Sequence, residues 1–514
     1  MGKKKQKKST LSPRQKVVGA YLTLMFGVFP LFCTDGFFNI RHDRYYFFLA
    51  LSGALLAFWG ITWLGGDRKN SIGRLHVTDW AMLGFLGVCI VSTVFSIAPV
   101  QALLGTAGRN NGLLLMAVYV GIYFAVSRYG RPGPVVFAAL GIVSAFVSVL
   151  TVLNFFSLDP LGMLEELSVA DKKIFFSTIG NKNLLSGYLC ITLPVLTVIF
   201  IEDSRKWLRI LALCCLAPGF AALMAADSDS GLLGLGAFGV VYVIRYIRHP
   251  AKLKRFFLVM TVMLLSARLL QPISAIPALE AKTMSHLQQF FVYSVPGIAL
   301  LLIVAAVTVT LEILDRKRPE LVLPKWVCTA TITLFGAIFI AVAVSVIILT
   351  LNPKIPARGL WQHLRLDYTW GTNRGFMWSK TMEIFWEFSL WRKLFGSGPD
   401  TFYYTFQPYF EELTNYWTSS TNAAHNEYLN YLITVGILGA SAYCTALISG
   451  VVRCFRSIKQ QPEGAVYCAA AICYGAQALV SIAQPITTPL LIIFLALCAG
   501  TENPQTEPAR KINI

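Results

Sequence analysis

Apolar runs of about twenty residues follow one another along most of this chain, and they set what it can fold into. A hydrocarbon core of about 30 Å takes roughly 20 residues of helix, because a helix satisfies its own backbone hydrogen bonds in lipid. Windows of that kind begin near Val17, Tyr45, Thr78, Gly112, Val135, Leu184, Leu208, Gly231, Phe256, Phe290, Trp326, Glu427, Ala465 and Ile486. The window at Phe256 is short and carries Arg268, and little more than "AQPITT" separates the last two. The expected fold is all-α: a polytopic membrane protein of about 14 transmembrane helices with one large extracytoplasmic loop containing short interfacial helices. Composition agrees, since a chain of 514 residues that is 55% hydrophobic and 14% charged carries more apolar surface than a soluble domain buries.

The net charge of +18 does not point to nucleic acid. Lys and Arg stand in short clusters between apolar runs, the pattern of cytoplasmic loops. Most of the 44 basic residues fall in alternate loops such as "GGDRKNSIGR", "RYIRHPAKLKR" and "LDRKRPELVLPK", together with both tails. That alternation places both tails in the cytoplasm. The expected layout is a basic cytoplasmic tail over 1–16, eleven spans over 17–350, an extracytoplasmic loop over 351–425, three spans over 426–500 and a tail over 501–514. The start, "MGKKKQKKSTLSPRQK", lacks a small-residue cleavage site, so it is expected to be retained. Nearly all of the 11 cysteines lie within apolar runs, and no pair shows metal-ligand spacing on one loop. Neither a metal nor a cofactor is expected.

Four polar stretches interrupt the apolar pattern, all on the outer side of this topology. "GTAGRNNGLL" carries Arg109, and "STIGNKNLLSGYL" carries Asn181, Lys182, Asn183 and Tyr188. "AADSDSGLLG" carries Asp227 and Asp229, and the 351–425 segment ends at His425, followed by Asn426, Glu427 and Tyr428. Each has a bland alternative. Asn183 is an ordinary helix cap, Arg109 an anchor to headgroup phosphate, Asp227 and Asp229 a solvated turn, and His425 an interfacial side chain. Glu427 is harder to explain this way, because a carboxylate entering a span is costly unless it faces protein or water. Within 351–425, Trp378, Met382 and Phe385 recur at helical spacing with Lys380, Glu383 and Glu387 between them. That stripe suits a helix lying in the membrane interface, apolar face down. Arg374 just before it is unexplained by such a helix, and a guanidinium suits phosphate or diphosphate.

Together these motifs resemble the O-antigen ligase and O-antigen polymerase family of bacterial membrane glycosyltransferases. The matching pieces are "GNKNLLSGYL", "RGFMW" with "LFGSGPDTF", "HNEYLNYLITVGILG" and the earlier "GRNNGLL", which span residues 105–440. The resemblance implies transfer of a glycan from a polyprenyl diphosphate carrier to a glycan, lipid or protein acceptor. It places the reaction at the outer face of the bacterial cytoplasmic membrane, among membrane lipid, without nucleic acid, nucleotide sugar or metal. It implies His425 as the base that activates the acceptor hydroxyl and Arg374 as the diphosphate contact. Arg109, Asn181, Lys182, Asn183, Tyr188, Asn426, Glu427 and Tyr428 follow as substrate-binding candidates, with Asn426 and Glu427 suited to orient the imidazole. An ordinary histidine pKa near 6.5 would leave that base able to accept a proton at neutral pH.

One departure stands out. The family's turn between the spans corresponding to seven and eight carries a Ser-Arg pair, whereas this turn is "DSDSG". A second positive charge then falls to Arg109 or Lys182. The rival reading is a lipid-linked oligosaccharide flippase or secondary transporter, which would place ionisable groups near the bilayer midplane and show repeated halves. Neither feature is evident in this sequence.

Overall fold

The computed structural model describes residues 11–37, 39–65, 74–356, 359–416 and 421–500. Most of both expected tails and part of the first basic loop lie outside the described residues. The architecture is all-α apart from one two-residue antiparallel pair, Phe175–Phe176 with Gly180–Asn181. A helix stands at each of the fourteen apolar segments. Among the described residues, 9 are long and apolar enough to cross a membrane, and three shorter apolar helices cover Leu113–Tyr129, Gly464–Val480 and Thr488–Gly500. The chain is a multi-pass membrane protein.

The Lys182–Glu202 helix is the centre of the bundle, packed on Lys206–Ala225 and Gly464–Gln477. Its most apolar window is 100% buried, at a mean hydropathy of 2.3. Ser186, Gly187, Thr192 and Thr197 lie buried along it, and small residues of this kind let neighbouring helices come close. Two helices at the edge, Val295–Lys317 and Lys325–Leu351, are at least as apolar, with mean hydropathies of 2.5 and 2.9, yet only 6% of each window is buried. In lipid, apolar residues need no protein partner.

The 351–425 segment departs from its expectation. The apolar face of the Trp370–Glu387 helix does not lie free for a membrane surface. Phe376, Met377, Ile384 and Phe385 pack on Phe402, Phe406, Leu413, Ala424 and Ile433 in a second core, with Trp378 and Met382 against it. Burying those rings together removes more apolar surface from water than laying one face on headgroups. Trp386, Leu390 and Trp391 remain exposed.

This second core is pinned to the bundle at two glycines. Gly396 and Gly436 both have positive φ, and a β-carbon on either would collide with backbone, of Thr434 and of Leu394 respectively. The Phe-Gly-x-Gly-Pro turn therefore seats directly on the end of the Glu427–Thr434 helix, with Ser397 and Gly398 donating N–H to the carbonyls of Ile433 and Thr434. Two motifs 40 residues apart in sequence form one joint.

Candidate active site

Arg374 and His425 come together through Trp378, on Arg374's own helix. Trp378 lies one helical turn beyond Arg374, on the same face, and its Nε1 donates to the carbonyl of Ala424 at 3.0 Å. Ala424 immediately precedes His425. The Arg-x-x-x-Trp spacing thus has a mechanical reason: one residue clamps the histidine's loop while the other presents its charge.

Both residues follow strained backbone. Gly371, Thr372 and Asn373 have positive φ in succession just before Arg374, and His425 itself has φ 50. A left-handed conformation costs a non-glycine residue roughly 1–2 kcal/mol, and such strain collects at functional sites. Gly375 is obligatory here, because a β-carbon would run into the Asp367 carbonyl oxygen.

The electrostatics are cationic. Burial, then the charges of Arg374 and Arg109, pull the His425 imidazole down to about 3. The value near 6.5 expected from sequence is therefore shifted, since a proton on this ring would enter a half-buried site beside two guanidinium groups. The ring is neutral throughout the physiological range. Arg374 is half-buried. Its Nε has no hydrogen-bond partner among the described residues. Burial lowers its guanidinium from the usual range, and Asp229 opposes that shift.

Arg109 is differently placed. It is 1% exposed. Its Nε sits 3.5 Å from Asp400 Oδ1, and its terminal nitrogens donate to the carbonyls of Asn422 and Ala483. Asp400 Oδ2 in turn accepts from Thr106 N at 2.8 Å, Thr106 Oγ1 at 2.9 Å and Asn111 N at 3.1 Å. Burial pushes the Asp400 carboxyl up, against the pull of Arg109 and these donors. Arg109 fastens three loops beneath the histidine.

The remaining candidates divide similarly. Lys182 is paired with Asp227 at 2.9 Å. Asp227 also accepts from Ser285 N, so this turn is tied down rather than solvated. Asn181 is the cap of the Lys182–Glu202 helix, accepting from Asn183 N at 2.9 Å, while Asn183 Oδ1 accepts from Ser228 Oγ at 2.9 Å. Asn426 caps the Glu427–Thr434 helix, accepting from the N–H groups of Tyr428 and Leu429. Glu427 was expected beside the imidazole, but its carboxylate accepts from the hydroxyls of Tyr443 and Tyr474, inside the bundle. Protein donors there offset part of the cost of burying it. Tyr428 donates to the Gly475 carbonyl at 2.7 Å, and Tyr188 is buried within its own helix bundle.

Two contributors were not singled out from sequence. Asp400 is one. Arg41 is the other: it is exposed at the start of the Ile40–Leu64 helix, and a β-carbon at Gly108 would lie 3.7 Å from its Cζ. Arg109 is the charge acting on it, and it makes no hydrogen bond or ion pair among the described residues. Arg41 lies in none of the quoted motifs, and Asp400, although within "LFGSGPDTF", finds its partner Arg109 too far along the chain for local spacing to show. Sequence spacing also hid a meeting of Cys454, Cys468 and Cys498, whose sulfurs lie within 4.8 Å of one another. These thiols sit among apolar helices, with Cys454 donating to the Gly464 carbonyl and Cys468 to that of Val451, and pack as small hydrophobes.

No curated protein matches the chain. The O-antigen ligase family model matches residues 289–444, which takes in the second core, Arg374, the Gly396–Asp400 turn and His425. Within this multi-pass membrane protein, residues 289–444 are similar to the O-antigen ligase family.

Proposed function

We propose that the protein transfers a glycan from a polyprenyl (undecaprenyl) diphosphate carrier to an acceptor hydroxyl, in cell-envelope polysaccharide synthesis. The observation that carries this reading is a neutral histidine clamped beside a half-buried arginine whose Nε lacks a partner among the described residues. His425 takes the proton of the acceptor hydroxyl, whose oxygen bonds to the anomeric carbon of the glycan. The bond from that carbon to the diphosphate oxygen breaks, and the lipid diphosphate leaves with its electron pair. Arg374 stabilises the charge it carries away, a contribution typically of about 2.7–4 kcal/mol for a preorganised donor. The imidazolium then loses its proton to water.

Arg41 is the second cation of this scheme. Arg109 and Lys182 are each committed to a carboxylate, whereas Arg41 is exposed above Gly108 with no counterion among the described residues. Both tails are assigned to the cytoplasm and the site to the outer membrane face, on the alternation of basic loops.

The test is consumption of lipid diphosphate-linked glycan by purified protein in detergent, where transport has no meaning. Release of lipid diphosphate with transfer of the glycan supports the reading. Its absence, with every candidate acceptor class supplied, would favour the flippase alternative. A deletion strain should accumulate the lipid-linked glycan, identified by mass spectrometry.

A further inference from the structure

A groove of about 350 Å³ opens in the second core, beside the Gly396–Asp400 turn and apart from the pair Arg374 and His425. Its volume falls at the lower end of the roughly 300–1,000 Å³ typical of small-molecule sites. Its lining is chemically mixed. Tyr404 and Tyr409 supply aromatic rings, Ser397 and Thr405 supply hydroxyls, and Glu387 and Arg392 supply one charge of each sign.

These groups are not consumed by the fold in the same way. Tyr409 is fixed: its hydroxyl donates to Glu383 Oε1 at 3.2 Å, and Lys380 Nζ lies 4.9 Å from its ring centroid. Lys380 is itself held at 3.1 Å from both Glu383 and Glu412. Tyr404 packs edge-on against Tyr403 at 5.4 Å. Thr405 Oγ1 donates to Ser397 Oγ at 3.1 Å. The charged pair behaves otherwise. Glu387 and Arg392 are both exposed, line the same groove, and form no side-chain hydrogen bond or ion pair with each other or with any described residue.

Rigid aromatic walls with a free carboxylate and a free guanidinium match one ligand class better than others. A sugar ring offers an apolar C–H face to stack on a tyrosine and hydroxyls at its edge that both donate and accept. A carboxylate accepts from those hydroxyls and a guanidinium donates to them. A lipid tail would use neither charge, and the exposed Trp386, Leu390 and Trp391 already provide an apolar surface for the membrane. A headgroup phosphate would be repelled by Glu387.

The groove is also mechanically joined to the site. Ser397 lines it, the carbonyl of Ser397 accepts from Ile97 N at 3.0 Å, and Asp400 three residues on holds Arg109. One rigid turn therefore serves as the wall of the groove and the support of the loop beneath His425.

We infer that this groove binds a saccharide unit of a glycan substrate, holding it by stacking on Tyr404 and by hydrogen bonds to Glu387 and Arg392. The inference rests on the glycosyl-transfer reading. The saccharide belongs either to the distal part of the donor glycan or to the acceptor, and kinetics separate the two. The experiment compares wild type, Tyr404→Ala, Tyr404→Trp and Glu387→Ala/Arg392→Ala in detergent, varying donor and acceptor concentrations independently. Tyr404→Ala and the double variant should raise KM for one substrate about tenfold, a typical effect of losing an anchoring contact, and by far more than they lower kcat. Tyr404→Trp should restore most of the loss. A raised donor KM that disappears with a donor carrying a single sugar assigns the groove to the distal donor glycan, and a raised acceptor KM assigns it to the acceptor. Free glycan released from the carrier should also bind wild type and not the double variant, by ligand-observed NMR. Wild-type turnover with unchanged KM for both substrates in every variant would overturn the groove while leaving the transfer reading intact. A change only in dependence on added lipid would overturn it in favour of a headgroup site. No turnover by wild type, with free glycan still bound, would overturn the transfer reading instead.

Discussion

Arg109 and Arg374 both bring a guanidinium to bear on His425, and only one of them is given an ion-pair partner by the fold. The Nε of each lacks a hydrogen bond, but Arg109 has Asp400 as an ion-pair partner and two backbone carbonyls as acceptors, whereas the Arg374 side chain makes neither an ion pair nor a hydrogen bond among the described residues. Both act electrostatically on the histidine. A buried charge is tolerated when protein groups complete it, and a half-buried charge left incomplete is available to an anionic ligand. The difference lies in the partners, which is why the sequence motif alone did not rank the two.

Breaking the first side should cost structure. Arg109→Ala leaves Asp400 buried without its counterion, a change that typically costs about 3–5 kcal/mol. Little monodisperse protein should be recovered by size-exclusion chromatography, and Asp400→Ala should behave likewise. Normal yield with lost turnover would instead make Arg109 a substrate contact.

Breaking the second side should cost chemistry. Arg374→Ala should fold normally and lose about 10²–10³-fold in turnover, the usual effect of deleting one preorganised donor. Arg374→Lys should recover little, because a point charge does not reproduce a guanidinium fork. Wild-type turnover in Arg374→Ala would remove it from the diphosphate.

Arg41 sharpens the contrast between the two sides, as the exposed cation next to the buried one. Arg41→Ala should raise the donor KM about tenfold, the weight of one solvent-facing charged contact at roughly 1.4 kcal/mol. An unchanged donor KM, with an altered requirement for anionic lipid, would make it a headgroup anchor.

The last effect is on pH. An unfolded histidine binds a proton near 6.5, but folded His425 does so only near about 3. Between those values the unfolded state binds more protons, so stability falls as pH is lowered through that window. Thermal unfolding in detergent should show this slope, reduced in His425→Gln. For the same reason kcat/KM should show no acid limb from this residue between about pH 5 and 8. A limb centred near 6.5 that disappears in the variant would mean the ring is not desolvated.

Much of this was legible from the residues. Apolar period and length located a helix at every one of the fourteen segments, and the motifs around Arg374 and His425 marked the pair that the fold brings together. Hydropathy did not separate the buried Lys182–Glu202 helix from the lipid-facing Lys325–Leu351 helix, because lipid and protein interior satisfy apolar side chains equally. The Trp378, Met382 and Phe385 stripe signalled a buried face but not what would cover it. Glu427 finds its partners at Tyr443 and Tyr474, and Asp400 its partner at Arg109. Such long-range polar pairs leave no local spacing to detect.

The most direct test of the central claim is turnover of lipid diphosphate-linked glycan by wild type and His425→Ala, each normalised to monodisperse protein. A neutral general base contributes typically about 10²–10⁴-fold, so the variant should lose that much while still binding the lipid donor. Equal specific activity in the two proteins would contradict the account and leave His425 a strained loop residue beside someone else's chemistry.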